Sequence, residues 1–272
     1  MPMNTEPDTL DRREFAKSAL ASVAVASTGP ALAFGAQDPF TALRRKKLNI
    51  GILIFPRIDQ IDFTGPFEVL ARIPDSTLHV IGTEPGPIKD HKGLILTAES
   101  VLPEAPALDV LQVPGGPGQE ALMDDEAVLS LIRRHVASGG VLFSVCTGAL
   151  ICGAAGVLRG RRATTHWAAF KLLHYFGVIP VDARVVIDHN IVSAAGITSG
   201  IDGALTLAAL LRGDTVAQEI QLDIQYAPEP PFHAGNPKTA PQEVLSAVIA
   251  KYQPLTEVRE RTARRIADRF GS

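Results

Sequence analysis

The chain is poor in cysteine and aromatic residues, and it carries little net charge. Of its 272 residues two are cysteine, 6% are aromatic, and the formal net charge is −3. This charge gives no sign of a polyanionic partner such as a nucleic acid or an anionic membrane. No apolar run has the length of a membrane-spanning helix. The composition, 46% hydrophobic and 20% charged, suits one globular domain that acts on a small molecule.

The N-terminal sequence is typical of an export signal. Arg12-Arg13 precedes a mildly apolar stretch, residues 19–34, and Ala31-Leu32-Ala33 has the small-x-small pattern of a signal-peptidase site. This order indicates a twin-arginine signal over residues 1–33, with cleavage after Ala36 as an alternative. A periplasmic protein is therefore expected, with no membrane association after cleavage. The other interpretation is a mildly basic N-terminus without structure.

After a linker predicted over residues 34–47, the sequence predicts a single α/β domain over residues 48–272. Short apolar runs alternate there with amphipathic segments, which indicates a mostly parallel sheet with helices on both faces. The predicted strands are 48–55, 77–82, 109–113, 141–144, 185–187 and 191–193, with a small hairpin over 88–96. The predicted helices are 67–72, 126–138, 147–157, 167–176, 201–211, 215–226, 242–252 and 255–270.

Cys146 lies where the predicted strand 141–144 gives way to a helix. A side chain at this turn stands at the carboxyl edge of the sheet, and the free amides of the helix N-terminus favour a thiolate. Gly148 lets the turn close tightly. The alternative is a buried structural cysteine, which is the role predicted for Cys152. We expect no disulfide between the two, because they point to different faces of one helix start.

Three other features could carry chemistry. Asp62 follows the first strand between apolar neighbours, so its carboxyl could donate a proton, although its spacing alone favours a helix cap. His166 could be a base or could simply pack beside Trp167. Gly115-Gly116 could offer backbone amides to a substrate or form a bare turn. The remaining histidines lack metal-ligand spacing, so no metal site is predicted.

The segments around these residues resemble the ThiJ/PfpI superfamily, relatives of the class I glutamine amidotransferases. FSVCTGAL (143–150) is similar to its nucleophile elbow, and VPGG (113–116) and RATTHW (162–167) are similar to its other signatures. Three further stretches resemble bacterial isonitrile hydratases: DFTGPFEV (62–69), AGITSGID (195–202) and YAPEPPF (226–232). The resemblance runs from about residue 48 to the C-terminus.

The resemblance implies a flavodoxin-like sandwich that forms a homodimer and needs no cofactor. It implies that Cys146 is a nucleophile, Asp62 an acid and Thr147 a supporting hydroxyl. The expected reaction adds water to an isonitrile, through a thioimidate on Cys146, and gives an N-substituted formamide. Because Thr147 stands where the protease-like branch has a histidine, peptidase activity is not expected. The residues predicted to bind substrate are Gly115, Gly116, Ile197, Trp167 and Phe63.

Three other functions stay open at this point. The first is a glyoxalase or deglycase that acts on α-oxo aldehydes. The second is a non-catalytic sensor, since the sequence also resembles the ligand-binding half of AraC-type regulators. The third is a redox or holdase protein that depends on oxidation of Cys146. Direct contact with DNA is not expected, because the C-terminal tail is too short for a helix-turn-helix pair.

Overall fold

The structure is a computed structural model and describes residues 38–269. Its helices are α1 Gln60–Leu70, α2 Gln119–Leu122, α3 Glu126–Ala137, α4 Gly148–Ala154, α5 Ser199–Arg212, α6 Asp214–Asp223 and α7 Gln242–Arg269. Its strands are β1 Leu48–Ile54, β2 Ser76–Gly82, β3 Pro87–Lys89, β4 Ile95–Thr97, β5 Ser100–Val101, β6 Val110–Val113, β7 Val141–Val145, β8 Arg162–Ala163, β9 Ile179–Pro180, β10 Val185–Asp188 and β11 Ile191–Ala194. The 3-10 helices are Leu102–Glu104 and Trp167–Phe176. Within the described range, no helix combines the length and apolarity that a membrane crossing requires.

A seven-stranded sheet in the order β10-β11-β7-β6-β1-β2-β5 organises the fold. Every neighbouring pair is parallel except β10 and β11. Strands β6 and β7 are buried along their whole length, as expected for parallel strands covered on both faces. The helices pack in two groups, one with α1, α5 and α6 and one with α2, α3, α4 and α7. The structure therefore confirms the prediction of a flavodoxin-like α/β sandwich.

The first helix is longer than the sequence predicted. Instead of beginning at residue 67, α1 begins at Gln60, and the side chain of Asp59 accepts a hydrogen bond from Ile61 N at 3.1 Å. Pro66 lies inside this helix and cannot donate to the carbonyl of Asp62, four residues earlier. That carbonyl accepts instead from Gln112 Nε2 at 2.8 Å. A tertiary contact thus allows the helix to run through the proline.

The C-terminal segment also differs from the prediction. The sequence predicted two helices, 242–252 and 255–270, whereas the structure has the single helix α7 with Pro254 inside it. Its second half packs on the domain through Arg259, Thr262, Ala263, Ile266 and Ala267, all buried. Packing on this face offsets the helical hydrogen bond that the proline removes, so the prediction of a break at residue 254 was wrong.

The segment before β1 is attached to the domain at Phe40 and through hydrogen bonds to Arg212. Of the predicted linker, residues 38–47 are described, and within them Phe40 is buried. The guanidinium of Arg212 donates to the carbonyl oxygens of Leu43 at 2.9 Å and of Lys46 at 2.9 Å. The predicted signal sequence, residues 1–33, lies outside the described residues and stays a prediction.

Candidate active site

The carboxyl ends of β1, β6 and β7 bring the predicted site residues to one edge of the sheet. Asp62 follows β1, Gly115 follows β6, and Cys146 follows β7. β2 lies on one side of β1 and β6 on the other, so the direction of the crossovers reverses between β1 and β6. Open α/β sheets bind their ligands at such a reversal.

Cys146 occupies a sharp strand-to-helix turn. Its φ is 56°, a left-handed conformation that is uncommon for a residue with a side chain and that active sites retain. Its amide donates to Ala194 O at 3.0 Å, and its carbonyl accepts from Thr165 Oγ1 at 2.8 Å. A Cβ on Gly148 would collide with the carbonyl oxygen of Val113, so glycine is required for α4 to start this close to β6.

The thiol of Cys146 is protonated at neutral pH. Burial, and next the neighbouring Asp62 carboxyl, raise the pKa of Cys146 well above its usual range. A backbone hydrogen bond of Thr147 and the charge of Arg259 act in the opposite direction but are weaker. The sequence-based expectation of a thiolate stabilised by the helix N-terminus is therefore wrong for the resting site, because desolvation outweighs the field of the short helix α4.

The Asp62 carboxyl lies directly behind Cys146 and is fully buried. Its Oδ2 accepts from the Gly115 amide at 3.0 Å, while Oδ1 has no hydrogen-bond partner among the described residues. Burial, together with the nearby charge of Asp59, raises the pKa of Asp62 to about 8. The helix cap is formed by Asp59, so Asp62 is left as a protonated carboxyl beside the thiol.

The backbone amides of the two glycines after β6 hydrogen-bond to side chains of the site. The Gly115 amide donates to Asp62 Oδ2, and the Gly116 amide donates to Thr147 Oγ1 at 3.2 Å. Both amides are thus engaged inside the protein, so they neither donate to a substrate nor form a bare turn, the two roles that the sequence left open. At Gly116 φ is 126°, and a Cβ would collide with the backbone of Asp59. These glycines therefore position Asp62 and Thr147.

A cavity of about 390 Å³ opens in front of the Cys146 thiol. Of the residues predicted to bind substrate, Gly116 and Ile197 line it, together with Thr147. Phe63 does not, because its buried ring packs against Phe67 with ring centroids 5.4 Å apart. Trp167 lines a neighbouring cavity of about 440 Å³ instead. The predicted roles of Phe63 and Trp167 as walls beside Cys146 are therefore not what the structure shows.

Helix α7 supplies the far wall of the cavity, which the sequence analysis missed. Tyr252, Leu255 and Arg259 face the cavity from this helix. Nη2 of Arg259 donates to the Gly116 carbonyl at 2.8 Å and approaches Thr147 Oγ1 at 3.4 Å. Their spacing of three and four residues places these side chains on one helical face. An arginine on the apolar face of an amphipathic helix was the available signal.

His166 also lines the cavity, but it is uncharged at neutral pH. Burial, and then the positive charge of Arg259, lower the pKa of His166 to about 4. Its Nδ1 accepts from the Ala168 amide at 3.3 Å, and its ring lies 5.5 Å from that of Tyr252. Within residues 38–269, no three His, Cys, Asp or Glu side chains are grouped to hold a metal ion.

The cysteine in a strand-to-helix turn and the order of the strands define a class of α/β proteins with a nucleophile elbow. Comparison with known proteins assigns the chain to one family of this class. A model of the DJ-1/PfpI family matches residues 48–210, and the chain belongs to this family. The chain is 46% identical to an isonitrile hydratase of Pseudomonas putida over 223 residues, which cover 80% of this chain and 98% of that protein. It is 38% identical over 99 residues to a deglycase of Pyrococcus horikoshii, with 36% of this chain and 58% of that protein covered.

Solved structures agree with this assignment. The crystal structure of a ThiJ/PfpI family protein from Pseudomonas syringae superposes with a TM-score of 0.78 at 33% sequence identity. The match covers 90% of this chain and 99% of that one. Family membership and fold, both predicted from the sequence, are therefore confirmed.

Proposed function

We propose that this protein is an isonitrile hydratase, which adds water to the terminal carbon of an isonitrile and releases an N-substituted formamide. The observation that carries the proposal is the protonated Asp62 carboxyl, fixed by the Gly115 amide behind the Cys146 thiol. The reaction needs a soft nucleophile and one proton for carbon, and these two residues supply both. The 46% identity to the Pseudomonas putida isonitrile hydratase supports the same activity.

In the first step the Cys146 sulfur attacks the terminal carbon of R–N≡C. The thiol proton passes to one oxygen of Asp62 while the proton on the other oxygen passes to the carbon. The product is a thioimidate, R–N=CH–S, and the carboxyl is protonated again. Because Asp62 and Cys146 are neutral before and after the step, no new charge is left in the buried site. Asp62 does not line the cavity itself, but its carboxyl adjoins the Cys146 side chain, so the step requires the carbon bound to sulfur to reach the carboxyl past that side chain.

In the second step water adds to the thioimidate carbon and the nitrogen takes up a proton. The C–S bond then breaks, the sulfur regains its proton, and R–NH–CHO leaves. Thr147 Oγ1 accepts from the Gly116 amide, and Thr147 also lines the cavity. Its hydroxyl hydrogen is therefore available to orient the water or the substrate nitrogen.

The test is formamide production from one aliphatic and one aromatic isonitrile by the purified protein. Cys146→Ala and Asp62→Asn are expected to abolish turnover, whereas Cys152→Ala, a buried cysteine away from the cavity, is the matched control and should retain it. Absence of turnover by a wild-type protein whose Cys146 reacts with a thiol reagent would reject the proposal.

A glyoxalase or deglycase that acts on α-oxo aldehydes is the second candidate. The similarity to the Pyrococcus horikoshii deglycase favours it, although that match covers a smaller part of the chain. Lactate formed from methylglyoxal, measured beside formamide formation with the same preparations, decides between the two. Faster lactate formation at equal substrate concentration would favour this candidate.

We propose further that the protein is a periplasmic homodimer exported in the folded state. Folding buries Cys146, which is 5% exposed and protonated, and so limits its oxidation outside the cytoplasm. Export through a pathway for unfolded chains should then yield oxidised, inactive protein, and full activity of that material would contradict the idea. Light scattering behind a sizing column tests the dimer.

A further inference from the structure

Arg259 is a buried cation that no carboxylate of residues 38–269 neutralises through an ion pair. Only 3% of the residue is exposed. Both hydrogen bonds of its guanidinium come from Nη2, and they reach the neutral oxygens of Gly116 and Thr147. Nε is buried without a partner in the described part of the chain. A buried charge without an ion pair is costly, so an anion that entered the cavity and paired with Arg259 would be stabilised there.

Two of the acids close to Arg259, Asp62 and Cys146, do not offset its charge at neutral pH. Burial raises the pKa of Asp62 to about 8, and burial likewise raises the pKa of Cys146 above its usual range. Both groups are therefore neutral in the resting site. His166 is neutral as well, since its pKa is lowered to about 4. Among the buried side chains of Asp62, Cys146, His166 and Arg259, only that of Arg259 is therefore charged, and its charge is positive. The carboxylates of Asp59 and Glu120 also act on this site.

The mouth of the cavity adds positive charge. Lys92, in the loop between β3 and β4, and Lys251, on α7, both line it. The acid that lines the same cavity, Asp59, accepts from the Ile61 amide and lies 3.8 Å from His91 Nε2. An anion in the cavity is therefore attracted by both lysines and by the guanidinium of Arg259.

We propose that Arg259 makes the Cys146 cavity selective for anionic substrates, namely isonitriles that carry a carboxylate close to the isonitrile nitrogen. This inference rests on the proposed function and gives the substrate class: the products are N-formyl amino carboxylates. The guanidinium offers N–H donors in a planar fork that matches a carboxylate. Its hydrogen bond to Gly116 O holds the guanidinium beside Thr147, the residue that follows Cys146 in the sequence. A short substrate can therefore contact the guanidinium and the Cys146 thiol at the same time.

The first experiment measures the charge preference without any turnover. Cys146 is alkylated with iodoacetate or with iodoacetamide, which differ by one charge and are otherwise similar in size. Both reagents consume the same thiolate, so the ratio of their rates does not depend on the pKa of Cys146. Relative to the ratio for glutathione, the wild-type ratio of iodoacetate to iodoacetamide is expected to be about tenfold higher, as one charge-assisted contact would give.

Substitutions of Arg259 test whether this residue causes the preference for iodoacetate. Arg259→Met should lower the ratio to that of glutathione, and Arg259→Lys, which keeps the charge but not the fork, should retain part of it. Arg261→Met is the matched control, because Arg261 is exposed on the same helix and outside the Cys146 cavity, and it should behave as the wild type. A wild-type ratio equal to that of glutathione, or an unchanged ratio in folded Arg259→Met, overturns the inference.

The second experiment compares turnover of isocyanoacetate and of isocyanoacetamide. The wild type should show a kcat/KM about tenfold higher for the anion, and Arg259→Met should show none of this preference. Equal turnover of the two substrates by the wild type contradicts the substrate class. A preference for iodoacetate without turnover of any isonitrile keeps the anion site and rejects the hydratase, so the two proposals fail separately.

Discussion

The two walls of the Cys146 cavity are built in different ways. The inner wall is made of Gly116, Cys146 and Thr147, which lie in turns that directly follow strands of the sheet, and Asp62 of helix α1 lies behind it. The outer wall comes from α7. Its cavity-lining residues follow Cys146 by more than about a hundred positions in the sequence, which is far beyond the reach of a local turn. In the inner wall, backbone amides hold the Asp62 and Thr147 side chains through hydrogen bonds. In the outer wall, the positions of the side chains depend on how helix α7 packs on the domain.

Because of this difference, we expect the inner wall to carry out the reaction and the outer wall to select the substrate. The inner wall holds the thiol and the carboxyl, whose pKa values are both raised by burial. The outer wall holds a phenol, a leucine and a guanidinium, none of which reaches the sulfur through a hydrogen bond in the described residues. Changes in the inner wall should therefore lower kcat, while changes in the outer wall should alter KM and substrate preference.

The largest effect is expected for Asp62→Asn. An amide cannot donate the proton that the carbon requires, and general acid catalysis contributes about 10²- to 10⁴-fold. We expect kcat/KM to fall by at least about a hundredfold. Because the Asp62 carboxyl helps to raise the pKa of Cys146, alkylation of the thiol should become faster in the variant. Loss of activity together with slower alkylation would indicate a damaged fold instead.

The next effect concerns stability and pH. The pKa of Asp62 is raised from 3.8 to about 8, so the unfolded chain loses this proton near pH 4 while the folded protein keeps it. The stability that the protonated carboxyl contributes is present below pH 4, declines as pH rises, and is lost above about pH 8. As the pH rises from about 5 to about 8, the free energy of unfolding of the wild type, measured in urea, should fall by up to about 4 kcal/mol relative to that of Asp62→Asn.

A surface acid provides the control for this pH effect. Asp268→Asn changes an exposed carboxyl on α7 and should follow the wild type across the same range. A difference between wild type and Asp62→Asn that does not vary with pH would mean that Asp62 has an ordinary pKa in the folded protein.

A smaller effect is expected in the outer wall. Leu255→Ala removes apolar surface from the cavity, and this should raise KM about three- to tenfold and leave kcat nearly unchanged. Leu222→Ala is the matched control, because Leu222 is exposed on α6 away from the cavity. A fall in kcat as large as that of the Asp62 variant would remove the distinction between the two walls.

The smallest effect is expected for Trp167→Phe. Trp167 lines the neighbouring cavity, with its ring centroid 6.1 Å from that of Tyr252, so it acts on the Cys146 cavity only through another side chain. Steady-state kinetics should stay within about twofold of the wild type. A KM raised more than about tenfold would show that the two cavities act as one site in solution.

The inner wall could be predicted from the sequence because its signals are local. An apolar strand followed by a turn residue and glycines marks the carboxyl edge of a parallel sheet, whatever the rest of the chain does. Cys146, Gly115 and Gly116 were found in this way. The spacing of Asp62 alone favoured a helix cap, and its role as an acid, like the role of Thr147, was implied by the family resemblance. The start of α1 was placed too late, at residue 67, because a proline is more common in the first turn of a helix than in its interior, and Pro66 lies just before this residue. A contact between Gln112 Nε2 and the Asp62 carbonyl, invisible in the local sequence, allows the helix to continue through it.

The sequence by itself determined the alternation of strands and helices, the elbow at Cys146 and the family, because each of these depends on short-range patterns. Only the tertiary structure decided the protonation of Cys146 and Asp62, the neutrality of His166 and the approach of Arg259. The physical reason is that burial sets these pKa values, and burial is decided by elements far apart in the chain. The helix that closes the cavity, α7, lies about a hundred positions beyond the cysteine that it covers.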